Sequence, residues 1–125
     1  GPYQIQAAIA SLHAEASSAD DTDWTQIVAL YGALRMHGDS PIIRLNQAVA
    51  VAMMGDATAA LRTLDDLTVL DGYSYYHAAR GSLLAAAGRT VDAAAEYDRA
   101  LEATASSPER RFLEAKLAEL AGQGD

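Results

Sequence analysis

The 125-residue chain contains no cysteine. That excludes a disulfide framework and any thiolate metal site, and it fits a reducing, cytoplasmic setting. No stretch of about 18 apolar residues occurs, so nothing is long enough to cross a bilayer as a helix. The opening lacks a basic segment followed by an apolar one, the pattern of a secretory leader. Lys and Arg are scarce, 9 against 17 acids for a net charge of −8, and residues 1–34 hold none of them. So acidic a chain is a poor direct binder of DNA or RNA, where the phosphate term needs clustered cations. The bases begin at Arg35 and thicken at Arg110, Arg111 and Lys116. This asymmetry fits docking to a partner, or to another part of a longer chain, as well as it fits a solvated acidic surface.

What is present is material for helices. Half of the residues are hydrophobic, which argues against disorder. A single domain of this length buries roughly 65–70% of the surface its unfolded chain exposes. Strand-like alternation is nearly absent, and Ala, Leu, Glu and Arg dominate. Apolar spacing predicts helices over about Gln4 to Ala16, Trp24 to Met36, Pro41 to Met54, Ala57 to Thr68, Ser74 to Ala87, Thr90 to Ala105 and Ser107 to Gly122. Asp21, Thr22 or Asp23 can cap the second, Ser40 before Pro41 the third and Asp56 the fourth. Ser107-Pro108, or Ser106 with Glu109 as a capping box, starts the last. Gly38, Gly55 and Gly88 are helix stops, and Asp71-Gly72 is a turn.

The stops recur. Gly55 and Gly88 stand 33 residues apart, and at the same offset Ala48 meets Gly81, Ala60 meets Ala93, and Leu64 meets Tyr97. A period near 34 with two helices per period is the signature of tetratricopeptide repeats. Gly81, Gly88, Ala93, Tyr97 and Ala100 fill that pattern's small and aromatic positions. The stretch Pro41–Asp71 fills it with Ala48, Gly55, Ala60, Leu64 and Leu67, and the first pair of helices matches only at Tyr31 and Leu34. The fold expected is all-α: one domain over residues 1–125, a tetratricopeptide-like right-handed superhelix of three hairpins and a C-terminal capping helix.

No catalytic set stands out. The three histidines, His13, His37 and His77, do not pair at metal-ligand spacing, and His13 beside Asp20, Asp21 or Asp23 is explained more simply by capping. No nucleophile elbow, phosphate loop or dinucleotide fingerprint occurs. No enzyme activity and no cofactor are expected. Four residues are candidates for partner binding: Asn46, Tyr73, His77 and Arg80. His77 and Arg80 share a helix face beside Tyr73 and Tyr76, where an arginine can grip a carboxylate in bidentate fashion. The competing assignment has Arg80 paired with a nearby carboxylate and His77 filling a hairpin contact. Asn46 lies in the apolar run around Leu45, Ala48 and Val49, where a buried amide must be bonded, most simply to an adjoining loop or helix end. Trp24 is assigned to packing. The positions that carry a Lys/Asn carboxylate clamp in some tetratricopeptide proteins are Leu45, Val49, Ala78 and Ser82, so that clamp is absent. An inner wall of this kind suits an apolar ligand, and a small-molecule sensor is the alternative function.

Five blocks resemble a known family in the same order. They are residues 1–10, Thr22-Asp23-Trp24 with Ile27 and Leu30-Tyr31, Leu45-Asn46-Gln47-Ala48-Val49-Ala50, Gly72-Tyr73 with His77-Ala78-Ala79-Arg80, and Pro108-Glu109-Arg110-Arg111-Phe112-Leu113. Together they resemble the C-terminal tetratricopeptide-like extension of extracytoplasmic-function (ECF) sigma-70 factors, of the group associated with YCII-related (DGPF) proteins. Gln47 departs from that pattern, which has Arg there. The resemblance implies a non-catalytic domain that modulates transcription initiation through sigma domains, RNA polymerase or a regulator. It also implies that the sigma domains precede this segment in the working molecule.

Overall fold

The computed structural model describes residues 1–15 and 22–123. All regular structure among them is helical: α1 (Pro2–Glu15), α2 (Trp24–His37), α3 (Pro41–Met53), α4 (Ala57–Asp65), α5 (Ser74–Ala86), α6 (Thr90–Ala103) and α7 (Ser107–Gln123), with a 3-10 turn at Thr68–Leu70. The pairing considered for His13 with Asp20 and Asp21 lies outside the described residues.

The starts of α2, α3, α4 and α7 follow their caps, while α5 and α6 begin without a side-chain cap. The Asp23 carboxylate accepts from the Gln26 N–H at 3.1 Å, Ser40 Oγ from Ile43 N–H at 3.1 Å, and Asp56 from Ala59 N–H at 3.1 Å. Pro41 occupies the first turn of α3, where no N–H is needed. For α7 the cap is Ser106, whose Oγ accepts from Glu109 N–H at 3.4 Å. Gly55 and Gly88 sit at φ +110° and +80°, in the left-handed region that a Cβ disfavours. Helix α4 ends at Asp65, three residues before the predicted Thr68. Two consecutive aspartates at a helix C-terminus oppose its dipole, and β-branched Thr68 and Val69 follow. The tighter 3-10 turn takes over and buries Leu70. Replacing Asp56 with Ala should cost about 1 kcal/mol through the lost cap, read as a lower urea midpoint.

The chain divides into two compact units, Gly1–Thr63 and Leu64–Asp125. In the first, Ile9, Ile27 and Ala50 are buried, with Ile5, Leu12, Trp24, Val28, Leu30 and Tyr31 packed against them. Trp24 thus packs, as its sequence position suggests. A polar bridge joins α2 to α3: Gln47 Nε2 donates to the Val28 carbonyl at 3.2 Å, and Arg35 Nη1 donates to Gln47 Oε1 at 2.9 Å. The bonded amide that the sequence placed at Asn46 is therefore its neighbour.

In the second unit α5 packs along α6, and α6 against α7. Ala93, Tyr97, Ala100 and Leu113 are almost fully buried. Gly81 makes the α5–α6 approach possible, since a Cβ there would lie 2.8–3.0 Å from three atoms of the Tyr97 ring. The Tyr97 hydroxyl reaches Ser82 Oγ at 3.1 Å. Glu109 ties the start of α7 to the start of α5. It accepts from Ser74 Oγ at 2.6 Å and from Thr104 Oγ1 at 2.8 Å.

Those two hydroxyl donors hold the Glu109 carboxyl below the ordinary glutamate value of 4.5, outweighing desolvation. The native group is therefore the stronger acid, and its stabilisation is complete above the unfolded pKa. It is lost as pH falls from about 4.5 through the lower folded value. The stability difference between wild type and Glu109→Gln should be constant near neutrality and shrink below pH 4.5, as followed by urea melts across pH.

Candidate functional site

The richest cluster of charge lies in the second unit, around the buried face of α6. Ala93, Tyr97 and Ala100 mark that face at helical spacing, and Glu96 falls within the same stripe. Its side chain is 7% exposed. Three cationic or proton-bearing groups surround it. His77 Nδ1 lies 2.7 Å from Oε2, Arg80 Nε lies 3.4 Å from the same oxygen, and Arg99 Nη1 bonds Oε1. A buried carboxylate needs such company, because desolvation otherwise makes its charge too costly.

His77 is fixed at both ring nitrogens. Nε2 lies 2.6 Å from the Asp71 carbonyl, which can only accept, so Nε2 carries a hydrogen. Nδ1 faces Glu96 Oε2 at 2.7 Å. The imidazole thus locks the turn before α5 onto α6. Arg80, one turn further along α5, reaches Asp65 at the end of α4 and lies 5.7 Å from the centre of the Tyr76 ring. Partial burial works against its charge, but the hydrogen bond to Asp65 and the nearness of Glu96 raise its pKa above the usual arginine value. Tyr76 in turn donates to the Leu64 carbonyl at 2.6 Å.

These residues form the floor of an open groove of about 650 Å³. Asp65, Asp71 and Glu102 stand on its rim, and Arg99 is 57% exposed. Of the four residues predicted to bind a partner, the structure brings two together here, His77 and Arg80. The arginine is paired with carboxylates and the histidine fills a contact within the hairpin, so both shape the groove more than they line its opening. Glu96 was missed by the sequence reading, although its place between Ala93 and Ala100 was the available signal.

Tyr73 stands elsewhere, 42% exposed, in a second cavity of about 540 Å³ beside Tyr75 and Phe112. Asn46 belongs to the first unit. It is half-buried in α3 and lines a notch of about 380 Å³ with Ile9, Tyr31, Leu34, Ile42 and Ile43. Among the described residues, no group of three or more His, Cys, Asp or Glu is placed to hold a metal ion. No described helix is long and apolar enough to cross a membrane.

Comparison with known proteins agrees with the helical pairs. The profile of the tetratricopeptide repeat-like domain matches residues 2–122. An uncharacterized protein of Rhizobium meliloti (strain 1021) is 44% identical over 124 residues, which make up 98% of this chain and 29% of that protein. The chain therefore spans less than a third of that relative's length. No solved structure matches. With its period of 33 residues, its Gly81–Tyr97 helix contact and a profile match over nearly its whole length, the chain belongs to the tetratricopeptide repeat-like domain family.

Proposed function

We propose that this chain is the regulatory, protein-interaction domain of a bacterial ECF sigma factor. It modulates transcription initiation through contacts with sigma domains, RNA polymerase or a regulator, and it performs no chemistry itself. One observation carries the reading. The repeat domain corresponds to under a third of a longer relative, while its own sequence blocks resemble the tails of such factors. Acidity supports the same division of labour. At a net charge of −8 the domain would leave promoter contact to other parts of the molecule. Within one domain of 125 residues, the contact region proposed is the α5 surface around Tyr73, with His77 and Arg80 holding the groove beside it in shape. Asn46 would serve a separate contact in the first unit.

The test is crosslinking of the full-length protein with and without core polymerase, together with transcription by a version truncated at this domain. Crosslinks from residues 64–123 to sigma domains or polymerase, and altered transcription on truncation, are the expected results. Unchanged transcription without such crosslinks would overturn the proposal.

A second reading, a small-molecule sensor, draws on the notch at Ile9, Tyr31, Leu34, Ile42 and Ile43. An apolar ligand seated there would raise the melting temperature by mass action. A metabolite panel in a thermal-shift assay should then show a hit that Leu34→Ser abolishes.

A further inference from the structure

The cavity between the starts of α5 and α7 differs from the charged groove. Three aromatic rings line it: Tyr73, Tyr75 and Phe112. All are substantially exposed, at 42%, 41% and 51%. Tyr73 and Tyr75 stand 6.0 Å apart with their planes at 60°, so they form two walls of a corner. Ala78 and Leu113 contribute further apolar lining, and Glu109 adds a carboxylate. Ser74 and Thr104 hold that carboxylate in place, and two hydroxyl donors leave it spare acceptor capacity.

Aromatic faces carry negative quadrupoles, and rings that line one cavity with a carboxylate favour a cation there. The protein already shows the preference within its own chain. Lys116 Nζ lies over the Phe112 ring, 5.5 Å from its centroid. A neutral apolar occupant would leave Glu109 facing hydrocarbon, and an anionic one would meet it as a like charge.

We propose that this corner takes a cationic side chain, lysine or arginine, from an extended segment of the partner protein. The inference rests on the interaction role proposed above and names the chemistry of the partner at one site. It also gives Tyr73 a direct contact role that His77 and Arg80, which are paired inside the chain, do not have.

The experiment is an amide-shift NMR titration of the 125-residue chain with short acetylated, amidated peptides built around Arg, Lys or citrulline. Citrulline keeps the shape of arginine without its charge. Expected are shifts at residues 73–78, 104 and 109–113 with the Arg and Lys peptides, and none with citrulline. Phe112→Ala, at a half-exposed position, should weaken binding roughly three- to fivefold, the worth of one exposed cation–π contact. Glu109→Gln should weaken it further at low salt than at high salt. Equal shifts with citrulline, shifts confined to the Glu96 groove, or binding unaltered in Phe112→Ala would each overturn the site. Tighter binding of tetramethylammonium than of any peptide would also overturn it, in favour of a free small molecule. If the peptides fail while the full-length protein still crosslinks to polymerase, the site is wrong and the broader function stands. Peptide binding with no polymerase contact would be the reverse case.

Discussion

Glu96→Ala should destabilise the second unit by about 3–5 kcal/mol, a large share of a typical domain's stability. The cost arises less from the carboxylate than from what it leaves behind. His77 would face a void at Nδ1 while 5% exposed, and Arg80 would lose one of its two carboxylates. Unpartnered buried charge is the expensive outcome, whereas an exposed pair is worth little. Helix α6 supplies its own control. Asp92 pairs with Arg89 at 2.7 Å, but the two side chains are 55% and 59% exposed. Asp92→Ala should therefore shift stability by no more than about 0.5 kcal/mol. Glu96→Gln, which keeps an acceptor, should fall between the two. The His77→Ala/Glu96→Ala double variant should lose less than the sum of the singles, by about 0.5–3 kcal/mol. Urea unfolding followed by far-UV circular dichroism measures all five variants, the His77→Ala single included. A Glu96→Ala midpoint equal to that of Asp92→Ala would mean that the buried network contributes nothing.

That network shows where sequence reading reaches and where it stops. Helix positions were legible because the starts of α2, α3, α4 and α7 have a capping side chain and α2, α3 and α5 end beside a glycine, whereas α5 and α6 start without a side-chain cap. Observed and expected boundaries differ mainly at α4, where Asp65 and Asp66 end the helix early, and at α6, which gives way to an extended Thr104. The repeat was legible because close packing demands a small residue opposite a large one, and Gly81 faces Tyr97. Side-chain partners across helices were harder to read. Glu96 was not singled out in the sequence, where only the register of Ala93, Tyr97 and Ala100 marks it as inward-facing. Likewise Gln47, not Asn46, carries the bridge between α2 and α3. Two adjacent amides on one helix point about 100° apart, and sequence alone does not say which faces the neighbour. Phe112 reads as part of an apolar stripe with Leu113, Leu117 and Leu120, yet it is half-exposed while Leu113 is buried.

The glycine in the repeat gives a prediction whose sign changes between two sites. Gly32 lies within α2 and Gly81 within α5, both in helix interiors. On intrinsic propensity, alanine should stabilise either helix by up to about 1 kcal/mol. At Gly32 nothing among the described residues opposes this, because there a Cβ would meet Gln47 Nε2 at 3.6 Å, an ordinary contact. Gly32→Ala should therefore be neutral or stabilising. At Gly81 the same methyl would come within 2.8–3.0 Å of the Tyr97 ring. The ring is almost fully buried and its hydroxyl is held by Ser82, so it cannot swing away as an exposed side chain would. Overpacking of this kind costs about 1–3 kcal/mol, enough to outweigh the propensity gain. Gly81→Ala should lower the melting temperature, while Gly32→Ala leaves it unchanged or raises it. Trimming the ring should relieve the clash, so Tyr97→Leu should cost less in the Gly81→Ala background than in wild type. If Gly81→Ala is instead as stable as wild type, the ring is free to move, and the close approach of α5 to α6 does not depend on glycine.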